Sequence, residues 1–270
     1  MKIIENIRSK LRSAVQRVGF SFSSATSVSE LLKTIDMLKP QITPSIELIR
    51  VGAKGDGGYI VPNDFENVSF CFSPGVDQTA SFELDLVKYG IKSYLADFSV
   101  EKPPSYIDDR YFTRKYVGIK SDKYFMTLQD WIREAIGSDD SDLILQMDIE
   151  GDELQVILDA PMHVLSRFRI IVIELHSLQS LANRDFNRIY KAFIEKLTMN
   201  HRVVHLHPNN VIRPCYVRSV EVHPIIEVTL LRKDRFNDLE KLTSPEIPNP
   251  LDTPNLSKSK DVPLNNAWYE

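Results

Sequence analysis

Apolar and polar positions along this chain fall into two alternating rhythms. Short apolar runs recur between stretches of helical spacing from about residue 68 to residue 231. Runs of four to eight apolar residues bounded by turn residues read as buried strands, and apolar residues three and four apart read as amphipathic helices. Val68 to Phe72 is the first strand, followed by a loop over Ser73 to Thr79 and a helix over Ala80 to Tyr89 that stops at Gly90. Ile91 to Ala96 is the second strand and Tyr111 to Gly118 the third, ahead of a helix over Thr127 to Ile136. The fourth and fifth strands run into Asp148 and Glu174. A long helix over Arg184 to Leu197 leads to a sixth strand, Arg202 to His207, and a seventh, Ile225 to Leu231. This alternation predicts an α/β fold with a doubly wound, mostly parallel seven-stranded sheet and helices on both faces.

The flanks follow other patterns. Residues 1–40 read as two helices, the second capped by Ser27 or Ser29. In the first, Ile3, Ile7, Leu11 and Val18 share a face opposite Lys2, Arg8 and Arg12. Such a helix packs on its own domain, on a second subunit in a homo-oligomer, or on a membrane surface as a peripheral contact. Ile46 to Pro62, glycine-rich at Lys54 to Tyr59, predicts a hairpin. From Thr243 onward five prolines and little apolar periodicity suggest an extended tail, whose aromatic end at Trp268 and Tyr269 favours ordering against the domain or a neighbour. The expected division is a helical extension over 1–45, a main α/β domain over 46–240 and a tail over 241–270.

Composition narrows the picture. Across 270 residues, 43% hydrophobic and 26% charged content is ordinary for a globular protein, and a net charge of -4 gives no reason to expect nucleic acid as a partner. Cys71 and Cys215 lie in apolar or strand-like sequence without zinc spacing, and read as free thiols in a reducing compartment. No apolar run approaches the roughly 20 residues that span a bilayer. The N-terminus lacks the apolar core and cleavage site of a secretory signal. The expected location is the cytoplasm.

The candidate chemistry gathers where the fourth strand ends. Leu143 to Met147 runs into Asp148-Ile149-Glu150-Gly151-Asp152-Glu153, and the fifth strand ends in Glu174-Leu175-His176. Open α/β sheets bind ligands at the carboxyl edge of their strands, where these groups fall. Gly151 allows the turn, and Asp152 and Glu153 suit the start of the next helix through its dipole. The first strand's loop carries a lone Gly75 and no G-x-G-x-x-G, which counts against a dinucleotide. Asp97, ending the second strand, reads either as a turn cap or as an acceptor for two ribose hydroxyls. Asp122 reads either as a helix cap or as an adenine contact. By strand alternation Glu174 and His176 share one side, as do His205 and His207.

The segment Met147-Asp148-Ile149-Glu150-Gly151-Asp152-Glu153 resembles the "D-x-E-G-x-E" signature of the FkbM-type methyltransferases. Asp56-Gly57-Gly58-Tyr59 is similar to the "DGGY" element of one branch of that family. Ser73 to Glu83 is similar to its "GV…SFE" loop and helix, and Ile173 to His176 to its "ELH" strand end. His205 to Asn210 and Glu227 to Leu230 are similar to its "H-x-H-x-N-N" and "E-V-T" elements. The ordered set spans roughly residues 48 to 235. The resemblance implies a Rossmann-like class I fold and S-adenosyl-L-methionine as cofactor. It implies that Gly75 approaches that cofactor, with Asp97 on its ribose, Asp122 near its adenine, and Asp56, Gly58, Tyr59 and Arg50 bordering its methionine end. The single glycine of the cofactor loop departs from the wider G-x-G-x-G pattern.

Methyl transfer to a hydroxyl is an in-line displacement that needs alignment and a base or metal beside a poor nucleophile. His176, Asp148 and Glu150 are the expected catalytic residues, with His176 as the base. Asp148, Glu174, His176 and His207 form the expected set for Mg²⁺ or Mn²⁺. The expected acceptor is a hydroxyl of a sugar, a surface-glycan precursor or a related metabolite. A phosphorylated acceptor is considered because of Arg213, Arg218 and Lys233. Two other readings stand beside this one: an NAD(P)-binding oxidoreductase, and a non-catalytic module on the same fold.

Overall fold

The computed structural model describes residues 24–76 and 79–270. The expected first helix of the N-terminal segment and part of the cofactor loop, Asp77 and Gln78, lie outside the described residues.

Helix α1 (Val28–Asp36) begins at Ser27, whose side chain accepts from the Glu30 amide while the Glu30 carboxylate returns to the Ser27 amide. That reciprocal cap fixes the helix start. Strands β1 (Leu48–Val51) and β2 (Tyr59–Pro62) then form the expected antiparallel hairpin. Gly58 suits its loop for a steric reason: a Cβ there would lie 2.0 Å from the Ala53 carbonyl oxygen.

Strand β3 (Val68–Pro74), helix α2 (Ser81–Leu86) and strand β4 (Lys92–Ala96) come next. The region expected as one third strand is two. β5 (Phe112–Thr113) pairs with β4, whereas β6 (Tyr116–Gly118) leaves the sheet and pairs with β7 (Phe125–Thr127). The change falls at the charged pair Arg114-Lys115. Helix α3 (Leu128–Ile136), strand β8 (Asp142–Met147), helices α4 (Glu153–Asp159) and α5 (Met162–Leu165) and strand β9 (Phe168–Leu175) follow. Helix α6 (Arg184–Asn200), strand β10 (His201–Pro208), the small hairpin β11 (Cys215–Val217) and β12 (Val220–Val222), and strand β13 (Ile226–Arg232) complete the body.

The main sheet has the order β10-β13-β9-β8-β3-β4-β5. It is mixed rather than all parallel: β13 runs antiparallel to both β9 and β10, and the other pairings are parallel. Every residue of β9 is buried, as a central strand covered on both faces requires. One apolar cluster packs α1, α3 and α6 onto the sheet through Leu31, Trp131, Phe193 and Phe72. A second packs the β1–β2 hairpin and α2 through Val51, Phe82 and Ile144.

Beyond β13 the chain makes few regular elements, yet it is pinned along its length. Thr243 exchanges backbone bonds with Ile42. The Gly55 amide donates to Thr253 Oγ1 at 3.0 Å, and Arg50 reaches the Leu251 carbonyl. Trp268 is fully buried and donates its indole N–H to the Glu221 carbonyl. Residues 243–268 thus form a strap across the β10–β13 side of the molecule.

Candidate active site

The carboxyl edge of the sheet gathers the ionisable groups. Asp148 follows β8 directly, Glu174 lies near the end of β9, and His176 lies just beyond it. Register carries the row further, because Glu174 pairs with Glu227 on β13 and Glu227 pairs with His207 on β10. Directly paired residues share one face, so these three side chains line up across adjacent strands.

His176 is the centre of the arrangement. Its Nδ1 lies 3.1 Å from Glu153 Oε1, while its Nε2 lies 3.2 Å from Glu174, 3.6 Å from Glu150 and 3.8 Å from Asp148. Glu153 is itself buried, and its Oε1 accepts the amides of Ile149 and Gly151. Glu153 therefore joins the turn after β8 to the imidazole and orients the ring. Nothing in its spacing distinguished this inward role from that of an exposed residue at a helix start.

Burial opposes a charge on His176, but its bonds to Glu153 and Glu174 prevail and push its pKa up to about 11. Asp148 is raised as well, which for a carboxyl favours the neutral form: burial, then repulsion from Glu174, takes it to about 8. Glu174 is held below its ordinary value, since bonds from His176 and Asn209 outweigh its burial. Asn209 Nδ2 donates to Glu174 at 2.7 Å. Donor atoms of Asp148, Glu174 and His176 all lie within 4.8 Å of one another. Asp148 Oδ1 is buried without a hydrogen-bond partner.

His207 does not join that trio. Its two ring nitrogens lie 3.2 Å from Glu227 and from Asp261 of the strap. The strap's Asn255 donates to Glu227 at 2.5 Å, and its Leu256 amide donates to Asn210 Oδ1. His205 Nε2 lies 3.0 Å from Asp252 without the alignment of a hydrogen bond. The second histidine pair is thus engaged by the strap.

Two cavities adjoin Asp148. The larger, about 600 Å³, is lined by Asp56, Gly75, Asp97, Tyr116, Val117 and Asp148, with Glu150 and Asp152 at its rim. The smaller, about 70 Å³, opens among Asp56, Tyr59, Gly75, Thr79, Ser81 and Asp148. Gly75 has a positive φ of 88°, and a Cβ there would lie 1.5 Å from the Asp148 carbonyl oxygen. Glycine is what lets the loop after β3 close against the turn after β8. Glu150 also has a positive φ, 58°, in a side chain that is 89% exposed. Backbone strain of this kind clusters at functional sites.

Several expected contacts are placed elsewhere. Asp122 accepts the amides of Tyr124 and Phe125 and pairs with Lys120, which holds it down at about 2, and it does not line either cavity. Arg50 donates to the carbonyls of Ala53, Gly55 and Gly58 and so folds the hairpin loop. Gly58 belongs to that loop as well. Arg213 follows β10 at the carboxyl edge, whereas Lys233 follows β13 at the opposite edge, so the basic residues do not form one patch. Among the described residues no helix is long and apolar enough to cross a membrane.

Residues 98–202 match the family model described as methyltransferase FkbM domain. The match includes the Asp148 turn, β9 and His176, and it supports the FkbM-type methyltransferase family for this chain. No curated protein matches the chain.

Proposed function

We propose that the chain is an S-adenosylmethionine-dependent O-methyltransferase acting on a hydroxyl of a sugar or glycan precursor. The observation that carries this reading is the acidic cavity at the carboxyl edge. Asp56, Asp97, Asp148, Glu150 and Asp152 all line it. Such a lining attracts a sulfonium and repels a pyrophosphate, which favours S-adenosylmethionine over NAD(P). The strand order with β13 reversed agrees with a Rossmann-like class I fold. Asp97 accepts the Ser99 amide at 2.6 Å and keeps its other oxygen for ribose hydroxyls. The same charge favours a neutral acceptor hydroxyl over a phosphorylated one.

When bound, the cofactor supplies an electrophilic methyl group. The protein's own task is to align the acceptor and receive its proton. His176, held as a cation between Glu153 and Glu174, has no free lone pair for that proton. Asp148 is better suited, since a carboxyl poised near 8 is a base matched to neutral pH. Glu174 and His176 position it, and Glu150 borders the acceptor's entrance.

The donor set also fits a divalent cation. Asp148 and Glu174 offer oxygens, and a bound cation would take the place of the proton on His176 Nε2, with Glu153 on Nδ1 giving the outer support typical of a metal-bound histidine. Mg²⁺ or Mn²⁺ held there would polarise the acceptor hydroxyl.

Thermal-shift titration tests the reading directly. S-adenosylhomocysteine should raise the melting temperature and NADH should not; the reverse result would overturn it. An Mn²⁺ resonance spectrum that changes on adding protein, and reverts with Asp148→Asn, tests the cation separately.

A further inference from the structure

Along the wall of the smaller cavity runs a chain of four buried side chains that the proposed reaction leaves unused, three of which (Tyr59, Glu83 and Gln146) line the cavity themselves. Ser73 lies next to the last residue of β3, Glu83 lies on α2, Gln146 on β8 and Tyr59 on β2. Their exposures are 0%, 4%, 6% and 7%. Ser73 Oγ bonds to Glu83 Oε1 and lies 2.5 Å from Gln146 Oε1, and Gln146 Nε2 donates to the Tyr59 hydroxyl at 3.1 Å.

The serine hydroxyl has one hydrogen but faces two acceptor oxygens, so one partner must bring a hydrogen of its own. Two patterns satisfy the chain. In the first, a neutral Glu83 donates to Ser73, Ser73 donates to Gln146, and the Gln146 amide donates to Tyr59. In the second, Glu83 is ionised and the Gln146 amide is turned over, donating to Ser73 and accepting from Tyr59. The patterns differ in what Tyr59 offers the cavity. The first leaves its O–H free to donate, and the second leaves only a lone pair.

The surroundings select the first pattern. Among the described residues, no Lys, Arg or His hydrogen-bonds or pairs with Glu83. The other titratable groups that act on or feel it are Cys71 of β3 and Tyr59 of β2, both uncharged donors. An ionised carboxylate buried without a cation is costly, and burial pushes Glu83 up from its ordinary range.

Resting on the cofactor reading above, we propose that Glu83 is a positioning residue held as the neutral acid. Through Ser73 and Gln146 it fixes Tyr59 as a hydrogen-bond donor to the carboxylate of the cofactor's methionine end. The cavity that Tyr59 faces is about 70 Å³, room for one small polar group, and the side chains of Thr79 and Ser81 also line it. Asp56 borders the same space and suits the ammonium of the same amino-acid end. A zwitterion needs a donor and an anion side by side, and a chain locked the other way would present two acceptors.

Calorimetry on the full chain tests this with S-adenosylhomocysteine and with its analogue lacking the carboxylate, 5′-(3-aminopropyl)thioadenosine. Tyr59→Phe should weaken S-adenosylhomocysteine about tenfold or more, the size of one hydrogen bond to a charged group, and leave the analogue unchanged. Glu83→Ala should weaken it in the same selective way, and Glu83→Gln, isosteric with the neutral acid, should rescue it. Equal effects on both ligands, or none on either, would overturn the proposal while leaving the cofactor reading intact. Failure of the unmodified protein to bind either ligand would instead sink the cofactor reading. A difference infrared spectrum against Glu83→Gln stands apart from binding. It should show the carbonyl stretch of a neutral carboxylic acid, and a carboxylate band in its place would refute the neutral Glu83.

Discussion

The two edges of the main sheet are both rich in buried charge, and they treat it in opposite ways. At the amino edge of the parallel strands, Arg169, only 4% exposed, bonds to Asp142, to Asp64 and to the Glu66 carbonyl. Arg232 bonds to Asp142, Asp234 and the Ser166 carbonyl, and Arg235 closes on Asp64. Each carboxylate there has a guanidinium, and Asp142 is held low because those partners outweigh its partial burial. At the carboxyl edge, Asp148, Glu150, Glu153 and Glu174 crowd a single imidazole, and Asp148 is driven up to about 8. A balanced cluster joins strands. An unbalanced one keeps an ionisable group near its transition at neutral pH, which is what a site of proton transfer needs.

The largest effect should come from Asp148→Asn, which keeps the shape of the carboxyl and removes its proton affinity. Methyl transfer to an identified acceptor should fall by about 10² to 10⁴, the usual weight of a general base. Its melting temperature should hold or rise, because repulsion with Glu174 is gone. A variant with full activity would make the crowded edge merely another structural cluster.

Asp142→Ala should do the reverse. It strands Arg169 and Arg232 without a shared carboxylate, and chemical denaturation should show a loss of about 3 kcal/mol. That figure is the low end for a broken buried pair, since the Asp142 side chain keeps 21% exposure. Cofactor binding by the folded fraction should be unchanged. A loss within 0.5 kcal/mol, the usual range for a surface substitution, would deny the amino edge its structural role.

The smallest effect is a pH dependence that tells the edges apart. Burial opposes the charge on His207, but Asp261 and Glu227 raise it to about 10, from an unfolded value near 6.5. A raised folded pKa contributes stability that is complete below about pH 6.5 and disappears as pH climbs through about 10. The guanidiniums of the amino edge do not titrate in that interval. Melting temperature should therefore decline between pH 7 and 10, and decline less in His207→Gln. Identical slopes would show that the strap does not depend on the imidazolium.

What the sequence disclosed and withheld follows from the range of the interactions involved. The strand–helix alternation was legible because burial on both faces leaves unbroken apolar runs such as Ile170 to Ile173. The convergence of Asp148, Glu174 and His176 followed from where those runs end. The reversal of β13 did not show, since a buried apolar strand reads the same in either direction. The exit of β6 from the sheet was hidden because Tyr111 to Gly118 keeps a strand-like composition throughout. Glu153 looked like a helix-start carboxylate, and only packing turned it inward to His176. Asn209 and Asn210 stood in the sequence as the end of the H-x-H-x-N-N resemblance, and their roles depend on partners supplied by β9 and the strap.

The strap also has a temporal meaning. The β1–β2 hairpin and its approach are tied to partners about 200 residues later, at Thr243, Leu251 and Thr253. At ribosomal speeds of about 5–20 residues per second, those partners emerge roughly 10–40 s after the hairpin. Until then His207 lacks Asp261 and Glu227 lacks Asn255, so the nascent sheet waits with its acidic edge half-satisfied. The hairpin is therefore closed by a late clasp. A message cut short before residue 243 would yield a sheet able to form its strands but not to finish its charged rim, a ready client for chaperones and proteases.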